Sequence, residues 1–240
     1  MALAASLAVA TVALGVFQAN SPTATPVAAT LARVSGPVEA GLAGDGNSGW
    51  HPVNPGQPLA VGQQLVTGPR GKAALSLARG VTLRLDGNTR IALAGIDRVV
   101  VERGAVYLDA GDQPATGPSV RIDTAFGSTR HLGTQYEVRV LPAEMQVSVR
   151  EGRVETAPDI GRTPVVAQAG EQVVIGTDGT VARTAVDRRD PRWNWIAEVT
   201  PPYSIEDRRL AEFLAWVCRE TGRELTFSTP DAEVTATSLI

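Results

Sequence analysis

The chain has 240 residues, 43% of them hydrophobic, with a formal net charge of −3 and one cysteine. This length allows one or two domains with a substantial buried core, and the net charge gives no basis for nucleic-acid binding, which needs a basic patch. Because Cys218 is the single cysteine, a disulfide within the chain is excluded and the fold must hold by packing alone.

Residues 1–17 carry no charged side chain, and the stretch 18–30 after them is small, polar and proline-containing. The apolar run is near the lower limit for a membrane-spanning helix, about 17–25 residues. A secretory signal normally begins with basic residues, yet the first Lys or Arg is Arg33. Two interpretations remain open: a signal peptide or anchor with a poor basic region, or a membrane helix whose basic cytoplasmic flank was lost to a misplaced start. We expect 1–17 to be a membrane helix or signal anchor and 18–30 a linker.

The stretch from Gly71 to Leu93 alternates strictly between apolar and polar residues, with glycine-containing breaks. This period of two predicts half-buried antiparallel strands, and Asp86-Gly87-Asn88 predicts a tight hairpin between two of them. The same alternation recurs around 120–123, 136–140 and 145–149. We therefore expect residues 31–186 to form one mainly β domain, an antiparallel sandwich or solenoid-like stack with one face buried and the other wet.

Residues 187–202 interrupt the alternation with mixed charges and three prolines. This composition predicts a connector, in which Trp193 and Trp195 are docked against a domain. Simple packing explains the two indoles better than a ligand platform, because aromatic side chains dominate buried area.

The last section, 203–240, changes to a helical period and predicts a short strand, a helix and a second strand. Asp207 is the expected helix cap and Gly222 the expected end. The helix is expected to bury one apolar stripe, which makes Cys218 a small core residue rather than a nucleophile. We interpret this section as a partial α+β (βαβ) unit. The stripe consists of Leu210, Phe213, Leu214, Val217 and Cys218.

No motif for catalysis, metal binding or phosphate binding is present in the sequence. The acids Asp86, Asp109 and Asp123 fall on outward strand positions or in turns, and His131 is expected to be a hydrogen-bonded turn residue. We therefore predict a protein that is not an enzyme, with no catalytic residue, metal or cofactor. Two alternatives stay open: a carbohydrate- or cell-wall-binding β domain that uses Trp50, and a hydrolase that pairs distant acids.

Several phrases taken together resemble the FecR family, in order and spacing, from about Val34 to Gly179. The tail, YSIEDRRLAEFLAWVCRETGRELTF, is similar to the first half of the short N-terminal domain of secretins and TonB-dependent receptors. The resemblance rests on a series of phrases rather than on one short motif. The FecR-like phrases are LVTGPRGKAALSLARGVTLRLDGNTRIAL, VERGAVYLD, IDTAFGSTRHLGTQYEVRV, VSVREGRVE and AGEQVVIGTDG.

The resemblance implies a single-pass inner-membrane sensor with its bulk in the periplasm. FecR-like proteins meet the signalling domain of an outer-membrane TonB-dependent receptor and control an extracytoplasmic-function sigma factor, with iron-siderophore uptake as the best-known setting. The family's cytoplasmic anti-sigma helices have no counterpart in this sequence. The resemblance therefore supports a periplasmic sensing role more strongly than a role in controlling the sigma factor.

A partner can bind such a protein by adding a strand to an unpaired sheet edge. This pairing uses backbone hydrogen bonds, so it leaves little signature of residue types in the sequence. Side chains on the outer strand positions and in the tail are the other candidates, although outward charges are usually ordinary solvated positions. The candidate partner-binding residues are Thr82, Arg84, Asp86, Arg90, Leu225 and Phe227.

Overall fold

The computed structural model describes residues 25–42, 49–77, 80–111, 119–131, 133–159 and 163–229. The predicted membrane helix or signal anchor, 1–17, lies outside these residues, as does the end of the tail from 230 onward. Within the described ranges, no helix is long and apolar enough to span a membrane.

The described residues are dominated by seventeen strands, which confirms the mainly β prediction. Two short helices and one 3₁₀ turn follow the strands near the C-terminal end. The strands are β1 Val27–Ser35, β2 Val38–Leu42, β3 His51–Pro52, β4 Pro58–Ala60, β5 Gln63–Thr67, β6 Lys72–Leu77, β7 Thr82–Leu85, β8 Arg90–Leu93, β9 Arg98–Asp109, β10 Arg121–Thr124, β11 Gly127–His131, β12 Gln135–Val140, β13 Glu144–Glu151, β14 Arg153–Pro158, β15 Val165–Gln168, β16 Glu171–Gly176 and β17 Val181–Ala185.

The strands form two sheets that share β9. The first sheet has the order β4-β1-β6-β7-β9-β12-β13-β16-β17. The second has the order β3-β2-β5-β8-β9-β10-β11-β14-β15, and its β9–β10 pair is the parallel one. From β10 onward the chain places hairpins alternately in the second and the first sheet. This arrangement is an open, sandwich-like stack, as the sequence predicted.

Strand β9 passes from the second sheet to the first at Gly104. Arg103 pairs with β8 of the second sheet, whereas Gly104 pairs with β12 of the first. Gly104 has a φ of 86°, and a Cβ at this position would overlap Thr89. The bend therefore requires glycine, both for the left-handed backbone and for the close approach of the neighbouring strand.

The core lies between the two sheets and consists of the inward residues of the alternating pattern. Leucine and valine side chains of both sheets are fully buried there, and burial of each contributes about 1.5–3 kcal/mol to stability. The main core residues are Leu31, Leu75, Leu83, Leu85, Val138 and Val147 from the first sheet and Leu65, Ile91, Leu93, Ile122 and Val154 from the second.

The predicted hairpin at Asp86-Gly87-Asn88 is wrong in one respect. Asn88 does adopt a positive φ of 56°, as a tight turn requires. However, β7 pairs with β6 and β9 of the first sheet, whereas β8 pairs with β5 and β9 of the second. The turn is therefore a corner between sheets, because two alternating segments and a turn look the same in sequence whether the strands pair with each other or not.

The borders of the β region differ slightly from the prediction. Strand β1 begins at Val27, so the last four residues of the predicted linker, 27–30, are strand. Strand β17 ends at Ala185, and a 3₁₀ turn, Pro191–Trp193, and helix α1, Asn194–Ala197, follow it. Trp193 and Trp195 are buried against the first sheet together with Tyr107, so their predicted docking is confirmed.

Helix α2, Leu210–Thr221, ends at Gly222 with a φ of 70°, as predicted. Its N-cap is Arg209 rather than Asp207. The predicted flanking strands are absent from 203–208 and from 223–229, since these residues find no neighbouring strand to pair with among those described. The βαβ prediction is therefore wrong for the described part of the tail. No α2 side chain is fully buried, and Cys218 is half-buried rather than a core residue.

Candidate functional site

The outer face of the first sheet carries polar side chains opposite the core leucines. Alternation on β7, β9, β12 and β13 places Arg84, Asp109, Glu137 and Arg150 on this face. The sequence predicted a wet face, but these four residues are only 2%, 7%, 2% and 3% exposed. Residues of the connector and of α2 cover them, so this face is a polar contact surface within the chain.

Arg84 makes a two-pronged ion pair with Glu220 of α2. Its Nη1 lies 2.6 Å from Glu220 Oε2 and its Nη2 lies 2.7 Å from Glu220 Oε1. Nη1 also donates to Thr200 Oγ1 at 3.1 Å, and the guanidinium lies 5.8 Å from the ring centroid of Tyr107. Such a fork is the strongest and most directional form of carboxylate recognition. Arg84 was predicted as a partner-binding or solvated residue; here its partner is within the chain.

Asp109 pairs with Arg219, the residue before Glu220. Arg219 Nε lies 3.1 Å and 3.2 Å from the two carboxylate oxygens, Arg219 Nη2 contacts the same group, and Gln135 donates to it at 2.9 Å. Burial alone would raise the pKa of Asp109, but Arg219 and Gln135 outweigh it and hold the pKa below its ordinary value. Asp109 thus lies on the outer face, as predicted, but it is a buried, charged anchor rather than a solvated acid.

Arg150 joins the connector to the last turn of α2. Its Nε donates to the Arg188 carbonyl at 2.9 Å and its Nη1 to the Glu220 carbonyl at 3.0 Å. Its guanidinium lies 5.6 Å from the Trp193 ring. A cation at the carboxyl end of a helix also stabilises the helix dipole. Arg150 therefore holds two separate segments of the C-terminal region at once.

The connector is fixed to the same face by further hydrogen bonds. Trp195 Nε1 donates to Glu137 Oε1 at 3.1 Å, and Arg192 donates to Ser148 Oγ at 3.0 Å. These bonds accompany a buried apolar cluster around Trp193 and Trp195. The connector is thus held by both burial and hydrogen bonding.

The remaining predicted partner-binding residues do not share one surface. Thr82 is half-buried on β7, and Asp86 accepts from the Gly87 N–H at 2.8 Å and pairs with an arginine of β12. Arg90 belongs to the second sheet, where it pairs with Glu102 at 3.1 Å. In the tail, Leu225 is 37% exposed and Phe227 is half-buried.

The acids considered for catalysis are each engaged separately. Asp86 pairs with Arg139, Asp109 with Arg219, and Asp123 with Arg98 and Arg121. No two of these carboxylates share a partner, and the described residues hold no group of three or more His, Cys, Asp or Glu able to bind a metal.

His131 accepts a hydrogen bond from the Val120 N–H at 3.1 Å through Nε2, and burial lowers its pKa. It is hydrogen-bonded as predicted, but in β11 rather than in a turn.

A cleft of about 670 Å³ opens where several turns meet at one end of the sandwich. Its size lies in the range of small-molecule sites, about 300–1,000 Å³. Trp50, the residue on which the carbohydrate-binding alternative depends, does not line the cleft and instead lies 5.2 Å beneath the Arg90 guanidinium. The cleft is lined by, among others, Glu102, Arg103, Phe126, Arg139, Leu141, Pro142, Asp159 and Ile175.

Sequence reasoning missed Glu220, Arg219 and Arg150 as members of a site. The adjacent Arg219 and Glu220 at the end of an amphipathic helix were the available signal, but an exposed helix end usually carries such charges. Their pairing with Arg84 and Asp109, more than one hundred positions away, depends on the tertiary structure.

A comparison with known protein families gives one match, which lies within the β region. Residues 63–155, which span β5 to the first half of β14, match the family model of the FecR protein. No curated protein matches the sequence.

Two crystal structures of a proposed anti-sigma factor from Parabacteroides distasonis ATCC 8503 are similar to this chain. The structure at 1.65 Å resolution has 17% identity and a TM-score of 0.48, over 67% of this chain and 76% of that one. The structure at 2.50 Å resolution has 17% identity and a TM-score of 0.47, over 69% of this chain and 80% of that one.

The family match covers β5, the β7–β8 corner, the bent strand β9 and the hairpins up to β14. It includes Arg84, Asp109 and Arg150 and excludes α2. The match supports a regulatory role, and over residues 63–155 the chain is similar to the FecR protein family.

Proposed function

We propose that this chain is a periplasmic sensor module that relays an envelope signal through protein–protein contacts. The observation that carries the proposal is the FecR match over residues 63–155. The proposed partner is the signalling domain of an outer-membrane TonB-dependent receptor, and the proposed output is a sigma-factor regulatory system. Iron-siderophore uptake is one setting for such a relay, and an anchor in the inner membrane would hold the module in place.

Three of the four strands at the sheet edges, β3, β4 and β17, offer poor surfaces for adding a partner strand. Strands β3 and β4 have two and three residues, and each contains a proline. On β17, Arg183 points toward the sandwich, where it donates to the Val166 carbonyl at 3.0 Å and pairs with Glu171 at 3.2 Å. Short edges, prolines and inward charges are the devices that block strand addition. This supports contacts through side chains instead.

The C-terminal unit, residues 203–229, offers such side chains. Ile205, Leu210 and Leu225 are 53%, 36% and 37% exposed. In the same unit Tyr203 and Trp216 form an aromatic contact with centroids 5.1 Å apart. Large exposed apolar side chains and aromatic residues are typical of interaction surfaces. The predicted partner-binding residues Leu225 and Phe227 belong to this unit.

The proposal can be tested with the periplasmic signalling domains of the TonB-dependent receptors of the same organism. Calorimetric titration should show binding that the Ile205→Asp variant weakens by about tenfold or more, since a charge in a desolvated contact is costly. Val166→Asp is the matched control, because Val166 is also an exposed apolar residue, 39% exposed, but lies on β15. Equal weakening by both variants, or no binding by the wild-type chain, would count against the proposal.

A further inference from the structure

Helix α2 differs from every neighbouring element in how it is attached. None of its side chains is fully buried, and neither of the two buried apolar clusters includes an α2 residue. Its aromatic contacts, Tyr203 with Phe213 and Trp216, lie within the C-terminal unit itself. Apolar burial therefore does not hold this helix on the sandwich.

Charged contacts at the last turn of the helix hold it instead. Glu220 binds Arg84 through both carboxylate oxygens, Arg219 binds Asp109, and the Glu220 carbonyl accepts from Arg150. Among the described residues, the first turns make no comparable contact with the sheet. The ion pair found there, Arg208 with Glu212 at 3.3 Å, is internal to the unit. The attachment is thus concentrated at one end of the helix.

Such contacts balance two large, opposing effects. Removing Arg84, Asp109 and Glu220 from water is costly, and the ion pairs offset that cost only in good geometry. The offset is incomplete here, because Arg84 Nε is buried without a hydrogen-bond partner. If α2 dissociates from the first sheet, water solvates the uncovered charges and no apolar core is exposed. The Trp-anchored connector is different, since its departure would expose Trp193 and Trp195.

We propose that the outer face of the first sheet is a docking surface for a helix end that carries an Arg-Glu pair, and that α2 occupies it as a reversible latch. The Pro201-Pro202 pair is the pivot, since the connector before it is anchored by tryptophans and the unit after it moves with α2. Opening uncovers Arg84, Asp109 and Arg150. The latch is a property of this chain alone and stands whether or not the receptor is the partner.

Hydrogen exchange on the full chain tests the latch. In the wild-type protein, amides of α2 should exchange at least about tenfold faster than those of β12 and β13, as expected for a unit that opens without global unfolding. Glu220→Gln removes the two-pronged pair and should accelerate exchange in α2 by a further factor of about ten, with β12 and β13 unchanged. Glu212→Gln is the matched control on the same helix and should change α2 exchange less than about twofold.

Three results would overturn the latch. Equal exchange rates in α2 and β13 of the wild-type protein would mean that the helix opens only with the whole fold. Parallel acceleration of α2 and β13 by Glu220→Gln would mean the same. A dependence of α2 exchange on protein concentration would show that the helix docks between copies of the chain rather than within one.

Discussion

The two faces of the first sheet are built from the same strands but are held in opposite ways. On β9, Leu108 points into the sandwich and is fully buried among apolar residues, whereas its neighbour Asp109 points outward and is buried beneath Arg219. The contacts of the inner face stabilise the fold because they remove apolar surface from water. On the outer face, the charged groups lose their hydration and form ion pairs, so the net contribution to folding stability is small. Similar burial therefore does not mean similar stabilisation.

This difference separates a permanent interface from a releasable one. Loss of the inner contacts exposes apolar surface and unfolds the sandwich. Loss of the contacts of α2 exposes charges that water accepts. In a sensor that must change its contacts without unfolding, we expect the contacts that change to lie on the outer face. Substitutions on each face can be ranked accordingly.

The largest effect is expected on the inner face. Leu83→Ala leaves a cavity at a fully buried position and should lower the free energy of unfolding by about 2–5 kcal/mol. Urea denaturation measures this loss. Thr82→Ala, at the half-buried neighbouring position, serves as the control and should change stability by less than about 1 kcal/mol. A cost for Leu83→Ala as small as that of the control would contradict the assignment of the core.

A smaller effect is expected where α2 meets the connector. Gly222 has a φ of 70°, and a Cβ there would overlap the Arg188 carbonyl. Gly222→Ala should therefore lower the free energy of unfolding by more than the left-handed backbone alone would, which is about 1–2 kcal/mol. Gly56→Ala is the matched control, since Gly56 has a φ of 85° and no atom within 4 Å of the added Cβ. If both variants lower stability equally in urea, the close approach at Gly222 is not real.

The smallest effect is a pH dependence that comes from Asp109. Its pKa in the folded protein lies below its unfolded value because Arg219 and Gln135 outweigh burial. The unfolded chain therefore binds more protons in acid, and the stabilisation by this carboxylate is present above about pH 4 and lost as the pH falls through the lower folded pKa. Urea titrations across this window should show a shallower acid loss for Asp109→Asn than for wild type. An identical slope in both proteins would refute the assignment.

Much of the fold was predictable because strand alternation is a local property. Leu83 and Leu85 were correctly placed inward, Gly222 was correctly placed at the helix end, and the tryptophans of the connector were correctly expected to dock. Each of these predictions depends on residues within a few positions of one another. The match to the FecR family covers the same alternating region.

The failures share one cause. The corner at Gly87 was taken for a hairpin, and strands were expected on both sides of α2, because a sequence does not state which segments become neighbours. The sequence by itself determined which residues of β7 and β9 face the same side, since this follows from the period of two. Only the tertiary structure decided that Arg84 and Asp109 lie beneath a helix rather than in water, because what covers an outward side chain comes from a distant part of the chain.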